Sequence, residues 1–393
     1  MIMTGNSQST YLDFNAGARL RPQVLSLMGE VLIEAGNASS VHAFGRAARH
    51  RIEAARIEVA ALVGASPSQV VFTSGGTEAN NQALHGMIRD DDAKLLVSAV
   101  EHDSVVAAAP GAQQVPVGRD GLIDLEELRQ RLARLREDSQ APILVSVMLA
   151  NNETGVISPL REVADTVHAF GALLHCDAVQ AAGKIPVDRN ALGIDLLTLS
   201  SHKLGGPQGA GALVLTEAQG LRVSPLICGG GQERGLRAGT ENVAAIAGFG
   251  LAAKLAREGL GDTGRLASLR DGLESDIREL APGTEIFGHA APRLPNTSCF
   301  TMPGVLAETQ VMALDLEGVA ISAGAACSSG KVAPSRVLRA MGADEDQAAS
   351  AIRVSFGWST EKVHIDHFLQ AWSALYSHKG VQITEPTQST EAA

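Results

Sequence analysis

Several things are scarce in this chain, and each scarcity excludes something. Aromatic residues make up only 3% of it, so its core is built mainly from Ala, Val, Leu and Ile. Cysteine is rare. The four cysteines, at 176, 228, 299 and 327, include no CxxC pair, which removes the usual thiolate metal site, the dithiol redox motif and a disulfide framework. Positive charge is in deficit: the net charge of −11 argues against a nucleic-acid backbone or an anionic membrane as the main partner. No window of about 18 residues is apolar and free of charge, so no bilayer-spanning segment is expected. Met1–Thr10 is polar and lacks a basic segment followed by an apolar one, so no signal peptide is expected and a reducing cytoplasm is the expected compartment.

What is present is a long chain with ample aliphatic material. At 393 residues it exceeds one small domain, and 45% hydrophobic residues fill a sizeable core. Short apolar runs at 69–73, 94–98, 143–148, 173–176, 196–200 and 212–215 read as strands. Amphipathic stretches at 122–136 and 159–170 read as helices between them, a spacing that suits βαβ units and a mostly parallel sheet. Residues 244–280 read as helical with one break at Gly259-Leu260-Gly261. Beyond them the pattern changes: 296–302, 319–322 and 352–356 suit a smaller sheet, with helices at 308–314, 335–341 and 361–376. The expected organisation is α/β: a large domain over 15–255 and a smaller α+β domain from 1–14 and 256–380. Residues 381–393 are polar and aperiodic, and read as a disordered tail.

The residues with chemistry cluster at strand ends. Leu199-Ser200-Ser201-His202-Lys203 closes one apolar run and precedes Gly205-Gly206-Pro207. Leu173-Leu174-His175-Cys176-Asp177 closes another. An amine to hold an aldehyde and an acid to hold a pyridine nitrogen are what a pyridoxal phosphate enzyme requires. Taken alone, the two residues fit a surface lysine and a capping aspartate equally well.

Ser74-Gly75-Gly76-Thr77 lies between a strand and the helical run Glu78–Leu84. Glycines admit close backbone approach, and a helix start offers free N–H groups to a phosphate. The segment lacks a P-loop lysine and has the wrong glycine spacing for a dinucleotide fingerprint. An ordinary capped turn stays open as the alternative. His102, in Glu101-His102-Asp103-Ser104, follows another strand and suits stacking on a flat cofactor and moving a proton. Asn152, in Asn151-Asn152-Glu153-Thr154-Gly155, is placed to hydrogen-bond a phenolate or a carboxylate. Gln180 lies three residues beyond Asp177 and could face the same ligand. A loop histidine and a polar turn are the plainer readings.

Taken in order, these segments resemble the cysteine desulfurases, a branch of the class V aminotransferase-like, fold-type I pyridoxal phosphate enzymes. The resemblance runs from about Tyr11 to Thr360. It is carried by Tyr11-Leu12-Asp13-Phe14-Asn15-Ala16, Asn37-Ala38-Ser39-Ser40-Val41-His42, Thr73-Ser74-Gly75-Gly76-Thr77-Glu78-Ala79-Asn80 and Asn151-Asn152-Glu153-Thr154-Gly155. It continues through His175-Cys176-Asp177-Ala178-Val179-Gln180, Ser201-His202-Lys203-Leu204-Gly205-Gly206-Pro207, Gly229-Gly230-Gly231-Gln232-Glu233-Arg234 and Arg237-Ala238-Gly239-Thr240-Glu241-Asn242. Gly324-Ala325-Ala326-Cys327-Ser328-Ser329-Gly330 and Arg353-Val354-Ser355 complete it.

The resemblance implies a large, mostly parallel-sheet α/β domain with a smaller α+β domain, and pyridoxal 5'-phosphate as cofactor. It assigns Lys203 to the cofactor aldehyde, Asp177 to the pyridinium nitrogen, Gln180 to the phenolic oxygen and His102 to the ring face. Gly76, Thr77, Ser200 and His202 would hold the phosphate, joined across a homodimer interface by Thr240 of the neighbouring copy. Asn152 and Arg353 would orient the substrate L-cysteine, with Arg353 on its carboxylate.

Cys327 separates a desulfurase from an ordinary aminotransferase. Its neighbours, Ala323 to Ala326 and Ser328 to Lys331, are small or glycine-rich, which favours an exposed, mobile loop over a packed core. Lys331 is positioned to favour the thiolate. The resemblance makes Cys327 the nucleophile that takes sulfur and hands it to an acceptor protein, an iron–sulfur cluster scaffold being the usual destination in the family. A selenocysteine lyase or another class V lyase or aminotransferase is the alternative. His364-Ile365-Asp366-His367 lacks a clear third ligand and reads as a solvated helix face, so no metal is expected.

Overall fold

The computed structural model describes residues 9–34, 36–88, 93–216, 223–323 and 334–383. The chain enters through a two-residue strand, β1 (Thr10–Tyr11). Its apolar runs then become β2 (Val70–Thr73), β3 (Lys94–Ser98), β4 (Gln113–Val115), β5 (Ile143–Ser146), β6 (Leu173–Asp177), β7 (Leu196–Ser200) and β8 (Gly211–Leu215). They form one sheet in the order β2-β8-β7-β6-β5-β3-β4, with β8 antiparallel to both neighbours and the other pairs parallel.

Successive residues of a strand face opposite sides of a sheet. Val145, Leu174, Leu197 and Leu199 accordingly join one core, while Leu144, Leu196 and Leu213 join another on the opposite face. Helices cover both faces, which is why β5 and β7 are buried at every position. The larger core is mostly Ala, Val, Leu and Ile, as the low aromatic content requires.

Two helices that the apolar pattern does not announce, Pro22–Ile33 and Ala43–Leu62, pack on the helix Val243–Glu258. Arg56 of the second is buried and forms a forked ion pair with Glu233, both N···O distances being 2.7 Å. Glu233 also accepts from the Phe72 N–H at 2.8 Å, so the segment after Gly229–Gly231 is tied to β2. The tie is firm enough to hold Glu233 and Arg234 at φ of 44° and 59°, in the left-handed region.

Leu12, the helix 263–280 and residues beyond it build a second core. Here β9 (Thr297–Thr301), β11 (Ser322–Ala323) and β12 (Ala351–Ser355) form an antiparallel sheet in the order β11-β12-β9. Between β9 and β11 lies β10 (Val319–Ala320), which pairs with β1 in parallel. The run expected as one strand at 319–322 is therefore two. Its first half receives the N-terminal strand, and its second half turns to join β12 at Ser322↔Arg353.

Scarce aromatics gather in this second core. Phe300 meets Phe368 and Trp372 edge-on at 6.3 and 6.1 Å, and Tyr376 stacks on Trp372 at 5.6 Å. The chain's other tryptophan, Trp358, donates its indole N–H to the Arg19 carbonyl at 3.2 Å. Among the described residues no helix is long and apolar enough to cross a membrane.

Candidate active site

The parallel strands β2, β3, β5, β6 and β7 end along one edge of the large sheet. The loops that leave this edge carry Gly76 and Thr77, His102, Asn152, Asp177 with Gln180, and Lys203. Ligands of open α/β sheets collect outside the carboxyl ends of strands. The register sets the spacing: Asp177 of β6 lies opposite Thr198 of β7, and Ser200 lies opposite Gly211 of β8, itself opposite Thr73 of β2.

Lys203 closes a short 3-10 turn, Ser201–Lys203, directly after β7. Its Nζ donates to the carbonyls of Asn15 at 2.5 Å and Ala16 at 2.8 Å. Burial, aided by the positive charge of Arg353 and opposed by Asp13 and Asp177, brings the amine down to about 8. An amine in that range is part-deprotonated near neutral pH, as a nucleophile or a base must be. Next to it, burial and the lysine bring His202 down to about 4, and its Nδ1 is buried with no partner.

Asp177 is buried at the end of β6. Its Oδ1 accepts from Val179 N–H at 2.9 Å and its Oδ2 from Asn80 Nδ2 at 2.8 Å. Asn80 hydrogen-bonds Ser104 Oγ in turn, and Ser104 Oγ lies 2.7 Å from His102 Nδ1. Gln180 donates to the Asn15 carbonyl at 2.9 Å, the acceptor it shares with Lys203.

Gly76 opens the helix Gly76–Ile88. A Cβ there would meet Val179 Cγ2 at 3.0 Å and Ser200 Cβ at 3.5 Å, so the cup, the Asp177 loop and the end of β7 converge. A Cβ on Gly75 would meet nothing within 4 Å, which leaves open room above the turn. The acid at the helix start is neutralised: burial pushes Glu78 up, but hydrogen bonds from Arg237 and Ser74 outweigh it and hold the carboxyl below its ordinary value.

Arg353 is buried on β12. Its NH2 pairs with Asp13 Oδ1 at 2.7 Å and its NH1 donates to the Asn152 carbonyl at 2.9 Å, while Nε has no partner. Through this guanidinium the second sheet reaches Asn152, in the loop after β5. Asn15, 1% exposed, is engaged through every polar atom it has. It accepts from Lys203, Gln180, Lys184 and Asn296, donates to Asn152 and Thr297, and is held by Ser355. Beneath Lys203 a cavity of about 290 Å³ is lined by Lys184, Phe14, Leu204, Phe356 and Trp358 among others.

These residues fit pyridoxal phosphate. A depressed lysine amine, a buried carboxylate, an unpartnered imidazole nitrogen and an open glycine turn at a helix start stand within one edge. Asn80, Ser104, Asn15 and Lys184 carry no role from the sequence reading. Asn80 lies four residues beyond Gly76 and Lys184 four beyond Gln180, so helical spacing to an assigned residue was the available signal.

Cys327 lies outside the described residues. The buried cysteines among the described residues are poor nucleophiles. Burial pushes the thiols of Cys176 and Cys299 far up, and Cys228 is exposed with its Sγ 3.8 Å from the Pro225 carbonyl. Thr240 is exposed. No group of three or more His, Cys, Asp or Glu among the described residues is arranged to hold a metal. His364 instead accepts from Glu361 N–H, and His367 pairs with Thr10.

Three comparisons complete the picture. The model of the family "Aminotransferase class-V" matches residues 10–368. A cysteine desulfurase of Cereibacter sphaeroides is 43% identical over 92% of this chain and 94% of its own length. A cysteine desulfurase IscS of Dictyoglomus turgidum is 39% identical over 92% of this chain and 93% of its own. Among solved structures, a NifS-like protein from Rickettsia africae superposes with a TM-score of 0.87 at 34% identity, over 94% of this chain and all of that one.

Proposed function

The chain belongs to the class-V aminotransferases and, within them, to the cysteine desulfurases, and from that premise we propose which of its residues carry the reaction. The enzyme is pyridoxal phosphate-dependent, converts L-cysteine to L-alanine and passes the sulfur to an acceptor. The observation that carries the residue assignment is the depressed amine of Lys203 at the strand edge it shares with buried Asp177.

Bound pyridoxal phosphate supplies an aldehyde for the substrate amine and a protonated ring that draws off the electrons left at Cα. Gly76, Thr77, Ser200 and His202 would hold its phosphate. Asp177 would hold the ring nitrogen, Gln180 the phenolic oxygen and His102 the ring. Arg353 and Asn152 orient the substrate carboxylate. Lys203 would hold the aldehyde in the resting enzyme and, as a free amine, would take the Cα proton. The carbonyls of Asn15 and Ala16 are acceptors that hold the released amine close by. Cys327, as thiolate, attacks the substrate sulfur. The Cβ–S bond breaks as the S–S bond forms, its electron pair goes to Cβ, and Cβ takes up a proton to leave as alanine. The persulfide left on Cys327 is the form in which sulfur reaches an acceptor protein, for which iron–sulfur cluster assembly is the destination we favour.

We read residues 15–255 as the cofactor-binding domain and 1–14 with 256–380 as the domain that carries Cys327. A homodimer is supported by exposed apolar residues on the two N-terminal helices and the turn between them, Leu25, Leu32, Ile33, Val41 and Phe44, and by exposed Thr240. Two Thr240 residues exchanged across such an interface would complete both phosphate sites.

Peptide-mapped mass spectrometry after L-cysteine tests the assignment, with visible absorbance and alanine recorded alongside. A one-sulfur adduct on Cys327 with alanine released is expected. Colour with neither adduct nor alanine would overturn the role given to Cys327.

A further inference from the structure

Two residues without an assigned role join the two groups assigned to the cofactor ring. Asn80 is 1% exposed, and its amide nitrogen donates to Asp177 Oδ2 at 2.8 Å and to Ser104 Oγ at 2.9 Å. The orientation of that amide is dictated by chemistry. A carboxylate only accepts, so Asn80 must turn its NH2 to Asp177 and its oxygen away; that oxygen is buried without a partner. Asn80 fills one lone pair of Ser104 Oγ, and the Ser104 backbone N–H decides the next link, because it donates to His102 Nδ1 at 3.1 Å and leaves that nitrogen without a hydrogen. The hydroxyl spends its own hydrogen on the same nitrogen, 2.7 Å away. His102 Nδ1 thus faces two donors and has no place for a hydrogen of its own. The charged groups around the imidazole are otherwise engaged: Asp103 and Arg336 meet at 3.4 Å, Arg336 also caps the Glu101 carbonyl, and the Glu101 carboxyl binds Met148 N–H and Ser146.

We propose that Asn80 and Ser104 are positioning residues that tie Asp177 to His102 and keep the imidazole hydrogen on Nε2. The inference rests on the placement of His102 and Asp177 at the cofactor ring. It assigns His102 one task, that of a hydrogen-bond donor on the side away from Ser104. Proton acceptance at Cα then falls to Lys203 alone. The same line fixes the Asp177 carboxylate, because one of its oxygens is held by Asn80 and the other by the Val179 N–H.

The test is two-bond ¹H–¹⁵N NMR of the cofactor-loaded enzyme labelled at histidine, with the His102 signals assigned by their loss in His102→Gln. The expected spectrum shows a bare Nδ1 and a protonated Nε2. Ser104→Ala should move these signals toward a mixture of the two tautomers, and Ser104→Thr should restore them. Asn80→Ala touches no atom of His102, yet it should move the same signals in the same direction. A protonated Nδ1 in the unaltered enzyme, or His102 signals unmoved by Asn80→Ala, would overturn the relay. Failure of the parent reading looks different: pyridoxal phosphate would then produce no visible band in any of these proteins.

Discussion

Two lysines line one cavity, and they are held in opposite ways. Lys203 donates to main-chain carbonyls of Asn15 and Ala16. Lys184 donates to side-chain amide oxygens, Asn15 Oδ1 at 2.7 Å and Gln180 Oε1 at 2.6 Å. Burial lowers both amines, and each lies within reach of the Arg353 charge. Leaving its carbonyls costs Lys203 little, because the Asn15 carbonyl keeps Gln180 as a donor. Lys184 cannot leave without stranding the buried Gln180 amide oxygen, for which it is the donor, although Asn15 Oδ1 would keep Asn296, and its contact sets the orientation of the Gln180 amide. On the assignment proposed above, one lysine is a reagent in waiting and the other is part of the wall. Similar burial and similar charge do not make equal roles, and the replaceability of the partners separates them.

Breaking the comparison at Lys203 should have the largest effect. Lys203→Ala should abolish the visible band of the loaded enzyme and cost turnover on the order of a thousandfold or more. Absorbance and alanine release measure both.

In the cofactor-free protein the same position should reveal its thermodynamic cost. The folded amine sits at about 8 and the ordinary value is 10.5, so between these the unfolded chain binds more protons and stability rises with pH. Below about 8 the whole penalty applies, at most about 3 kcal/mol. Lys203→Met should therefore be more stable than the parent at pH 7, the gain shrinking as pH approaches 10.5. Urea unfolding at the two pH values reads this.

Uptake of pyridoxal phosphate sharpens the contrast kinetically. The deprotonated fraction of an amine at about 8 grows from roughly a tenth at pH 7 to roughly nine-tenths at pH 9. The capture rate should rise about tenfold over that interval and level off above it, as stopped-flow absorbance would show. A midpoint near 10.5 would contradict the depressed amine.

Lys184→Met should give the smallest effect. Colour should persist, while a Gln180 amide freed to turn should lower turnover about tenfold, the equivalent of one hydrogen bond. Loss of colour in Lys184→Met would erase the distinction between the two lysines.

Much of this was legible in the sequence, for a physical reason. The strands that matter are runs of Val, Ile and Leu ended by polar residues, and the site lies where such strands end. The Gln113–Val115 strand was not legible: it is three residues long, at the sheet edge, and its two glutamines are exposed. Nor was the helix Ala43–Leu62, whose arginines include Arg56, buried against a glutamate 177 positions away. Within the site, single residues with a chemical job stood out, whereas their supports did not. Asn80 meets Asp177 across 97 positions and Lys184 meets Asn15 across 169, and no local pattern encodes contacts of that span. Spacing alone hinted at both residues, four beyond Gly76 and four beyond Gln180.

The gathering of aromatics away from the large sheet has an optical consequence. Both tryptophans of the chain lie at 358 and 372. Trp372 is fully buried among Phe300, Phe368 and Tyr376, while Trp358 is 37% exposed and lines the cavity beneath Lys203. Ultraviolet emission from this protein therefore comes from one side of the molecule, and the large sheet is dark. Its blue-edge component reports the second core. Its red-edge component lies in the cavity that Lys203 lines, beside the site proposed for the chromophore, so quenching of Trp358 alone would time the loading of that site without any label.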